Sequence, residues 1–391
     1  MKLSNNYKRF VFIPSILSLL FLTSCWSTNE IEDLGLILGV AVDLEEEKGQ
    51  EGENVITLTN QLATSNSSNA GIEGQGTQQN AYKNVSETGS SLMEATRNSL
   101  LEIEEILLAH HVKVLVIGEE LASTTSLQQT LDYFIREHEI RQSCQIFIAK
   151  ERASHILETS EPSVVPSMKL AQMTKAHDRN SKILMPIHLS KLNRKIQSDA
   201  SFLLQNVISD QGEMKFDGAS VFDGKTKKLQ GLLNKEEVEG VNWITGEGKG
   251  GLVKSYVEKK STPIIYEILS MNSNIQPRVN GNDISFDVEI ESEGRIGEQK
   301  EATSIDPSSN ETLIKVEENI EEEVQKLVKS VSEKTQQEYQ VDVLGFGESL
   351  RIEYPKVWEK VKKDWDKTFS EVPIQFNVNV TIKDYGTLGN K

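Results

Sequence analysis

Apolar residues recur along this chain at two spacings, and each spacing predicts one kind of secondary structure. Apolar and polar residues alternate over 283–299 and again over 374–384, which predicts two half-buried strands. Over 309–338 the apolar residues lie three and four positions apart among many charged residues, which predicts a long amphipathic helix. A second helix is predicted over 355–369, so the last third of the chain combines strands with separate helices.

The first part of the chain has a different order of elements. Residues 34–43 and 54–63 are rich in apolar and β-branched side chains and are predicted to be neighbouring strands. Apolar residues three and four apart predict a helix over 84–109, and 110–122 follows as a strand. Helix and strand then alternate to residue 160, which indicates a sheet covered by helices.

Changes in composition suggest where domains begin and end. Serine, asparagine, glycine and glutamine dominate 64–80, which predicts a flexible loop. Three prolines interrupt 161–200, and shorter strand and hairpin signals follow. We therefore expect an α+β fold with mixed or antiparallel sheets covered by helices. The expected domains are an N-terminal α+β domain over 25–195, a small middle domain over 196–280 and a C-terminal α+β domain over 281–391.

A short apolar run near the N-terminus ends at a cysteine. Three basic residues precede the run over 11–22, which is too short to cross a bilayer that needs about 20 residues. This pattern predicts a signal peptide over 1–24. The sequence Leu22-Thr23-Ser24-Cys25 resembles a bacterial lipobox, in which cleavage follows Ser24, the Cys25 thiol carries a diacylglyceryl group and its amine an acyl chain. The alternative is an ordinary cleaved signal followed by a chance cysteine.

The charge of the chain restricts its partners. The formal net charge is −17, and residues 1–24 carry three basic and no acidic groups, so the mature chain is near −20. Such a chain does not bind nucleic acid by neutralising phosphates, and anionic head groups repel it. We therefore expect the lipid on Cys25, with two or more acyl chains, to hold the protein on the membrane.

The remaining motifs do not predict catalysis. Gly246, Gly248 and Gly251 fit G-x-G-x-x-G, but the sequence after them reads as a strand, so a turn is expected rather than a phosphate site. His110 and His111 are adjacent and face opposite sides of a strand, which does not suit one metal ion. Without a disulfide partner, Cys144 is expected to be a buried apolar residue rather than a catalytic thiol. We expect no enzyme activity, no cofactor and no metal.

Several blocks of the sequence together resemble one protein family. They are, in order, CWSTNEIEDLGLILGVAVD, HHVKVLVIGEELA, LDYFIREHEIRQSCQIFIAK, GASVFDGKTKKLQGLLNKEEVEGVNWITG and LGFGESLRIEYPKVWEKVKKDW. In this order they resemble the Ger(x)C lipoproteins, the C subunits of bacterial spore germinant receptors. The blocks cover nearly the whole mature chain.

The resemblance implies a fold, a location and partners. It implies a three-domain α+β protein, made during sporulation and anchored through Cys25 on the outer face of the spore inner membrane. There it would act with an A subunit and a transporter-like B subunit, both integral-membrane proteins, in the response to nutrient germinants. The family implies no catalytic residues and no cofactor. An alternative function is a solute-binding lipoprotein that captures the germinant and delivers it to a permease, and a third is a cell-wall enzyme.

One segment of this acidic chain is basic. Seven lysines and arginines within 167–197 face a single acidic residue, Asp178. We expect Lys191, Arg194 and Lys195 to form a patch that binds a partner subunit. The alternative is that the segment links two domains and that its basic residues pair with acidic residues of the same chain.

Overall fold

The computed structural model describes most of the chain after the predicted signal peptide. The described residues are 33–49, 52–64, 80–256, 263–299 and 310–384. Cys25 and most of the predicted 64–80 loop lie outside them. Within the described ranges the strands form two sheets, and helices cover both of them, so the predicted α+β class is confirmed.

The first sheet has nine strands and mixed direction. Its strands are β1 (Leu34–Lys48), β2 (Asn54–Ala63), β3 (Tyr82–Gly89), β4 (Ile106–Leu108), β5 (Val114–Gly118), β6 (Gln145–Ala149), β7 (Phe202–Asp210), β8 (Glu213–Phe222) and β9 (Leu229–Leu233). Their order is β3-β2-β1-β5-β6-β7-β8-β9, and β4 pairs beside β1. The central pairs from β1 to β7 are parallel, whereas the outer pairs at both ends are antiparallel.

Six helices cover the two faces of the first sheet. They are α1 (Leu92–Ser99), α2 (Glu119–Thr124), α3 (Leu127–Arg136), α4 (Ala153–Ile156), α5 (Pro166–Met173) and α6 (Leu189–Gln197). Apolar side chains of α1, α2, α3 and α6 form one core with the sheet, and those of α4 and α5 form another on the opposite face. The buried carboxylate of Asp43 in β1 accepts hydrogen bonds from the amides of Ala153 (2.5 Å) and Ser154 (3.0 Å), so it fixes the start of α4 on the sheet.

The prediction of one helix over 84–109 is wrong. Residues 82–89 are β3, because all eight of them pair in register with residues 56–63 of β2. The helix α1 begins only after Ser91, whose hydroxyl accepts a hydrogen bond from the amide of Glu94 at 3.2 Å. It ends at Ser99, and Ile106–Leu108 form β4 beside β1. Strand pairing therefore overrides the helical spacing at both ends of the segment.

The second sheet has four strands and carries its helices on one face. The strands are β10 (Gly251–Ser255), β11 (Ile264–Asn280), β12 (Asp283–Gln299) and β13 (Ile374–Asp384). The helices after β9 are α7 (Lys235–Thr245), α8 (Asn310–Glu333) with a π-helical end at Lys334–Tyr339, α9 (Phe346–Glu353), α10 (Pro355–Val361) and α11 (Trp365–Glu371). The strands predicted over 283–299 and 374–384 and the long helix are confirmed. The pair β12–β13 is parallel, and the other pairs are antiparallel.

Strands β7, β8 and β9 contribute to the cores of both sheets. Phe202, Leu204 and Phe222 point into the core beneath α3 and α6. Their neighbours Leu203 and Val221 point to the opposite face and join the core of the second sheet. The strands of the expected 196–280 domain are thus divided between the sheets, with β7, β8 and β9 in the first and β10 and β11 in the second. The expected domain boundaries stay a prediction.

The helix α7 lies between the two sheets and contacts β8, β11 and α8. A glycine allows the close approach of α7 to α8. A Cβ atom added at Gly240 would lie 2.7 Å from the carbonyl oxygen of Leu327 and 2.9 Å from a methyl group of Val331. The two helices therefore pack with backbone against backbone at this point.

Side chains of α8 cover the outer edge of β13. Glu321 accepts a hydrogen bond from the amide of Val380 at 2.9 Å, and Glu317 accepts one from the amide of Ile382 at 2.8 Å. Gln325 donates to the carbonyl oxygen of Phe376 at 3.1 Å. An uncovered edge strand offers unpaired backbone groups to other chains, and here three residues spaced by four along one helix bind those groups.

The π-helical end of α8 covers the edge strand β9 in the same way. The hydroxyl of Tyr339 donates to the carbonyl oxygen of Leu232 at 2.7 Å and accepts from its amide at 3.2 Å. Lys334 donates to the same carbonyl at 3.1 Å and pairs with Glu237 at 3.0 Å. The ring of Tyr339 lies where a Cβ atom of Gly231 would be, at 2.3 Å, so only glycine fits there.

We expect the substitution Tyr339→Phe to lower the free energy of unfolding by about 1 kcal/mol, because it leaves the partly buried amide of Leu232 without its acceptor. Urea denaturation followed by tryptophan fluorescence measures this change. The control is Tyr354→Phe, since the half-buried Tyr354 has no hydroxyl hydrogen bond within the described ranges. An equal effect of the two substitutions would show that the hydroxyl of Tyr339 does not stabilise the edge of β9.

Candidate functional site

The candidate patch lies on α6, at the junction of the first sheet with the C-terminal helices. Leu189, Leu192 and Ile196 recur at helical spacing and are buried in the core of the first sheet. The other side of the helix carries Lys191, half-buried Lys195 and exposed Arg194. The structure thus places the three predicted basic residues on one helix, and their surroundings differ.

Two of the three basic residues interact with acidic residues of the same chain. Lys191 lies 3.6 Å from Glu247, which follows α7. Loss of water around Lys195 lowers its pKa, and the positive charge of Lys191 lowers it further. The carboxylates of Glu247, Asp342 and Glu348 oppose this shift, so Lys195 lies in an acidic environment made by segments distant in sequence. The ion pair favours the alternative of pairing within the chain for Lys191, and the half-buried Lys195 lies near acidic groups of the same chain without an ion pair among the described residues.

Arg194 differs from its neighbours on α6. It is exposed, and no ion pair to it occurs among the described residues. Elsewhere in the segment, Lys169 lies 3.6 Å from Glu161 and Lys182 lies 2.9 Å from Glu236, whereas Lys175 and Arg179 are exposed and have no ion pair among the described residues. Arg194 is therefore the member of the predicted patch whose charge faces solvent.

Sequence reasoning missed the carboxylate of Asp342, which organises the loop beside the patch. It accepts hydrogen bonds from four successive amides, those of residues 344–347, at 2.5–3.2 Å, and from the indole of Trp365 at 3.0 Å. Burial raises the pKa of Asp342, and these N–H donors oppose the rise. An aspartate two or three residues before glycine is a known signal for such a turn, and Asp342 precedes Gly345 by three.

A surface cavity of about 410 Å³ lies between α7, α8 and β10. Five of its six charged side chains pair with one another: Lys182 lies 2.9 Å from Glu236 and 3.8 Å from Glu239, and Lys326 lies 2.7 Å from Glu323. The sixth, Lys254, lies over the ring of Tyr256, 5.3 Å from its centroid. Burial raises the pKa of Glu239, whereas Lys182 and the hydroxyl of Ser181 lower it. The polar groups of this cavity are thus occupied by contacts within the protein.

The cysteine and the glycine motif considered in the sequence analysis contribute to the fold. Burial raises the pKa of the Cys144 thiol to about 12, so the thiolate needed for nucleophilic attack is scarce at neutral pH. Gly246 ends α7 in the left-handed conformation, with φ of 67°, so the predicted turn at the glycine motif is confirmed. Across the described ranges, no group of three His, Cys, Asp or Glu side chains could hold a metal ion.

The predicted attachment to the membrane involves residues near the N-terminus. Cys25, the predicted lipidation site, and the cleavage site after Ser24 lie outside the described residues. None of the helices in the described part of the chain is long and apolar enough to span a bilayer.

Two family models and several relatives match the chain. The family described as "Spore germination protein N-terminal domain" matches residues 27–208, and "Spore germination B3/GerAC like, C-terminal" matches residues 217–386. Spore germination protein YndF of Bacillus subtilis (strain 168) is 41% identical over 391 residues, which cover 95% of each chain. Spore germination protein B3 of the same organism is 28% identical and covers 95% of this chain and 96% of its own.

A solved structure shows the same fold. The crystal structure of the GerBC protein matches with a TM-score of 0.62 and 24% sequence identity, over 88% of this chain and 98% of that chain. The family models match the N-terminal and C-terminal parts of the chain in turn, and the relatives match it over nearly its full length. The chain therefore belongs to the Ger(x)C family of spore germination proteins.

Proposed function

We propose that the protein is a non-catalytic, lipid-anchored subunit of a spore germinant receptor complex and is needed for the response to nutrient germinants. The observation that carries the proposal is the similarity to spore germination proteins YndF and B3 over 95% of the chain. The partners would be the A and B integral-membrane subunits, and the site of action would be the outer face of the spore inner membrane.

The charge of the protein supports a lipid anchor. A mature chain near −20 is repelled by anionic head groups, so electrostatic attraction does not hold it on the membrane. Two acyl chains bind stably where one binds only marginally. Lipidation of Cys25 therefore supplies the attachment that the acidic surface cannot.

The charges of α6 limit where a partner subunit could bind. Lys191 and Lys195 interact with acidic groups of the same chain, so reversing their charge would disturb the folded protein itself. Arg194 is exposed and has no such partner in the described ranges. We propose that Arg194 is the residue of the patch formed by Lys191, Arg194 and Lys195 that contacts an acidic group on a membrane subunit.

Deletion of the gene tests the proposed function. Spores should still form, but they should lose the response to particular nutrients, because one receptor complex would lack a subunit. The measurement is the fall in optical density of spore suspensions after addition of single nutrients, with the wild-type gene restored as control. Unchanged responses to every nutrient, in a strain whose other receptor genes are deleted, would contradict the proposal.

Replacement of Cys25 by alanine tests the anchor. We expect radiolabelled palmitate to enter the wild-type protein and not the Cys25→Ala variant, because the thiol that carries the lipid is absent. The variant should accumulate as an uncleaved or mislocalised precursor and restore germination poorly in the deletion strain. Cys144→Ala is the matched control and should still be labelled. Palmitate in the Cys25→Ala variant would show that the lipobox assignment is wrong.

Charge reversal at Arg194 tests the partner contact. Arg194→Glu should reduce the amount of A and B subunits that copurify from spore membranes. Its free energy of unfolding should change by no more than about 0.5 kcal/mol, as is usual for exposed residues. Lys329→Glu, an equal change of charge at an exposed position of α8, is the control. Full copurification with Arg194→Glu would place the contact elsewhere.

A further inference from the structure

Four large apolar side chains are exposed in the segment from α1 to β4. Leu101 is 86% exposed, Met93 62%, Ile106 48% and Leu100 44%. Met93 and Leu100 are seven residues apart, so they lie near the same face of α1. Apolar side chains exposed together in this way mark a surface that contacts an apolar partner.

These side chains lie at the end of the sheet where the chain enters it. Leu34 and Leu36 at the start of β1 pair in parallel with Ile106 and Leu108 of β4. Parallel strands begin at the same edge of a sheet, so the turn over 100–105 lies beside the residue that precedes Leu34. Cys25 is nine residues before Leu34, and nine extended residues span at most about 30 Å. The exposed leucines therefore lie at the end of the domain to which the proposed lipid is tethered.

We propose that the turn over 100–105 inserts Leu100 and Leu101 into the surface of the lipid bilayer and forms a second membrane contact beside the lipid on Cys25. This inference rests on the proposed lipidation, which holds the turn near the membrane. A bilayer is fluid and, unlike a protein partner, needs no surface that matches the shape of the turn. It can therefore accept side chains that protrude from a turn and a helix end. The contact orients the domain on the membrane, because two points of attachment restrict its rotation more than one.

Backbone amides of the turn are hydrogen-bonded within the protein, as apolar surroundings require. The amides of Leu100, Leu101 and Glu102 donate to the last carbonyl groups of α1 at 2.9–3.2 Å, so they need no water as partner. Ile103 is buried and fixes the turn on the core. The two leucines are thus held outward by a hydrogen-bonded turn.

Acidic residues around the leucines limit the depth of insertion. Glu102 and Glu104 are exposed, and Glu105 pairs with Lys83 at 2.6 Å. Carboxylates stay in water, and anionic head groups repel them. The contact is therefore shallow and weakens as the anionic fraction of the lipid rises.

A fluorescent label at position 101 tests the contact in the full-length lipidated protein. The Leu101→Cys variant carries an environment-sensitive nitrobenzoxadiazole label, since Cys144 is buried and Cys25 carries the lipid. The control is Ile352→Cys, which replaces an aliphatic residue of α9 that is 65% exposed. Both are reconstituted into phosphatidylcholine vesicles, with and without nitroxide-labelled lipid and with increasing phosphatidylglycerol.

We expect at least twofold quenching of the label at position 101 by the nitroxide lipid, a blue shift of its emission, and little change at position 352. Quenching should decrease as phosphatidylglycerol increases. Vesicle-bound protein without quenching at position 101, or with equal quenching at both positions, would overturn the inference and leave lipidation intact. Protein that does not bind vesicles would overturn both. A blue shift of the label at position 101 that occurs only in membranes containing the A and B subunits would assign the leucines to a protein partner instead.

Discussion

The unpaired edges of two sheets are the constraint on which the arrangement of this protein depends. Both β9 and β13 end a sheet and would present free amides and carbonyl groups to other chains. One helix, α8, covers both edges, with Glu317, Glu321 and Gln325 along β13 and with its π-helical end along β9. The position of this helix therefore fixes the second sheet relative to the first.

The π-helical end is part of this arrangement. It brings Lys334 and Tyr339 to the same residue, Leu232, which α8 reaches only after its regular turns have crossed the second sheet. π-helical turns are rare and occur frequently at functional sites. Here the turn joins a strand of the first sheet to the helix that covers the second.

The sequence predicted those parts of the fold whose pattern is local. Alternation over 283–299 and helical spacing over 309–338 correspond to β12 and α8, because each has one buried and one exposed face. The segment 84–109 misled the prediction, since pairing with β2 and β1 is decided by strands elsewhere in the chain. The surroundings of Lys195 were not predictable either, because Asp342 and Glu348 are distant in sequence. The sequence does not distinguish Arg194, Leu100 and Leu101 from other residues of helical spacing. Only the fold shows that their side chains are exposed to solvent.

The sharing of β7, β8 and β9 between two cores also orders events in time. Residues up to 233 complete the first sheet, and α7 follows at once to pack on β8, but α7 itself has no apolar cover on its other side until β11 and α8 exist. Synthesis proceeds at roughly 5–20 residues per second, so the delay between residue 233 and residue 380 is on the order of ten seconds. During that delay the nascent chain exposes the apolar side of α7 that later packs against β11 and α8, which other unfolded chains could bind before its own C-terminal half arrives.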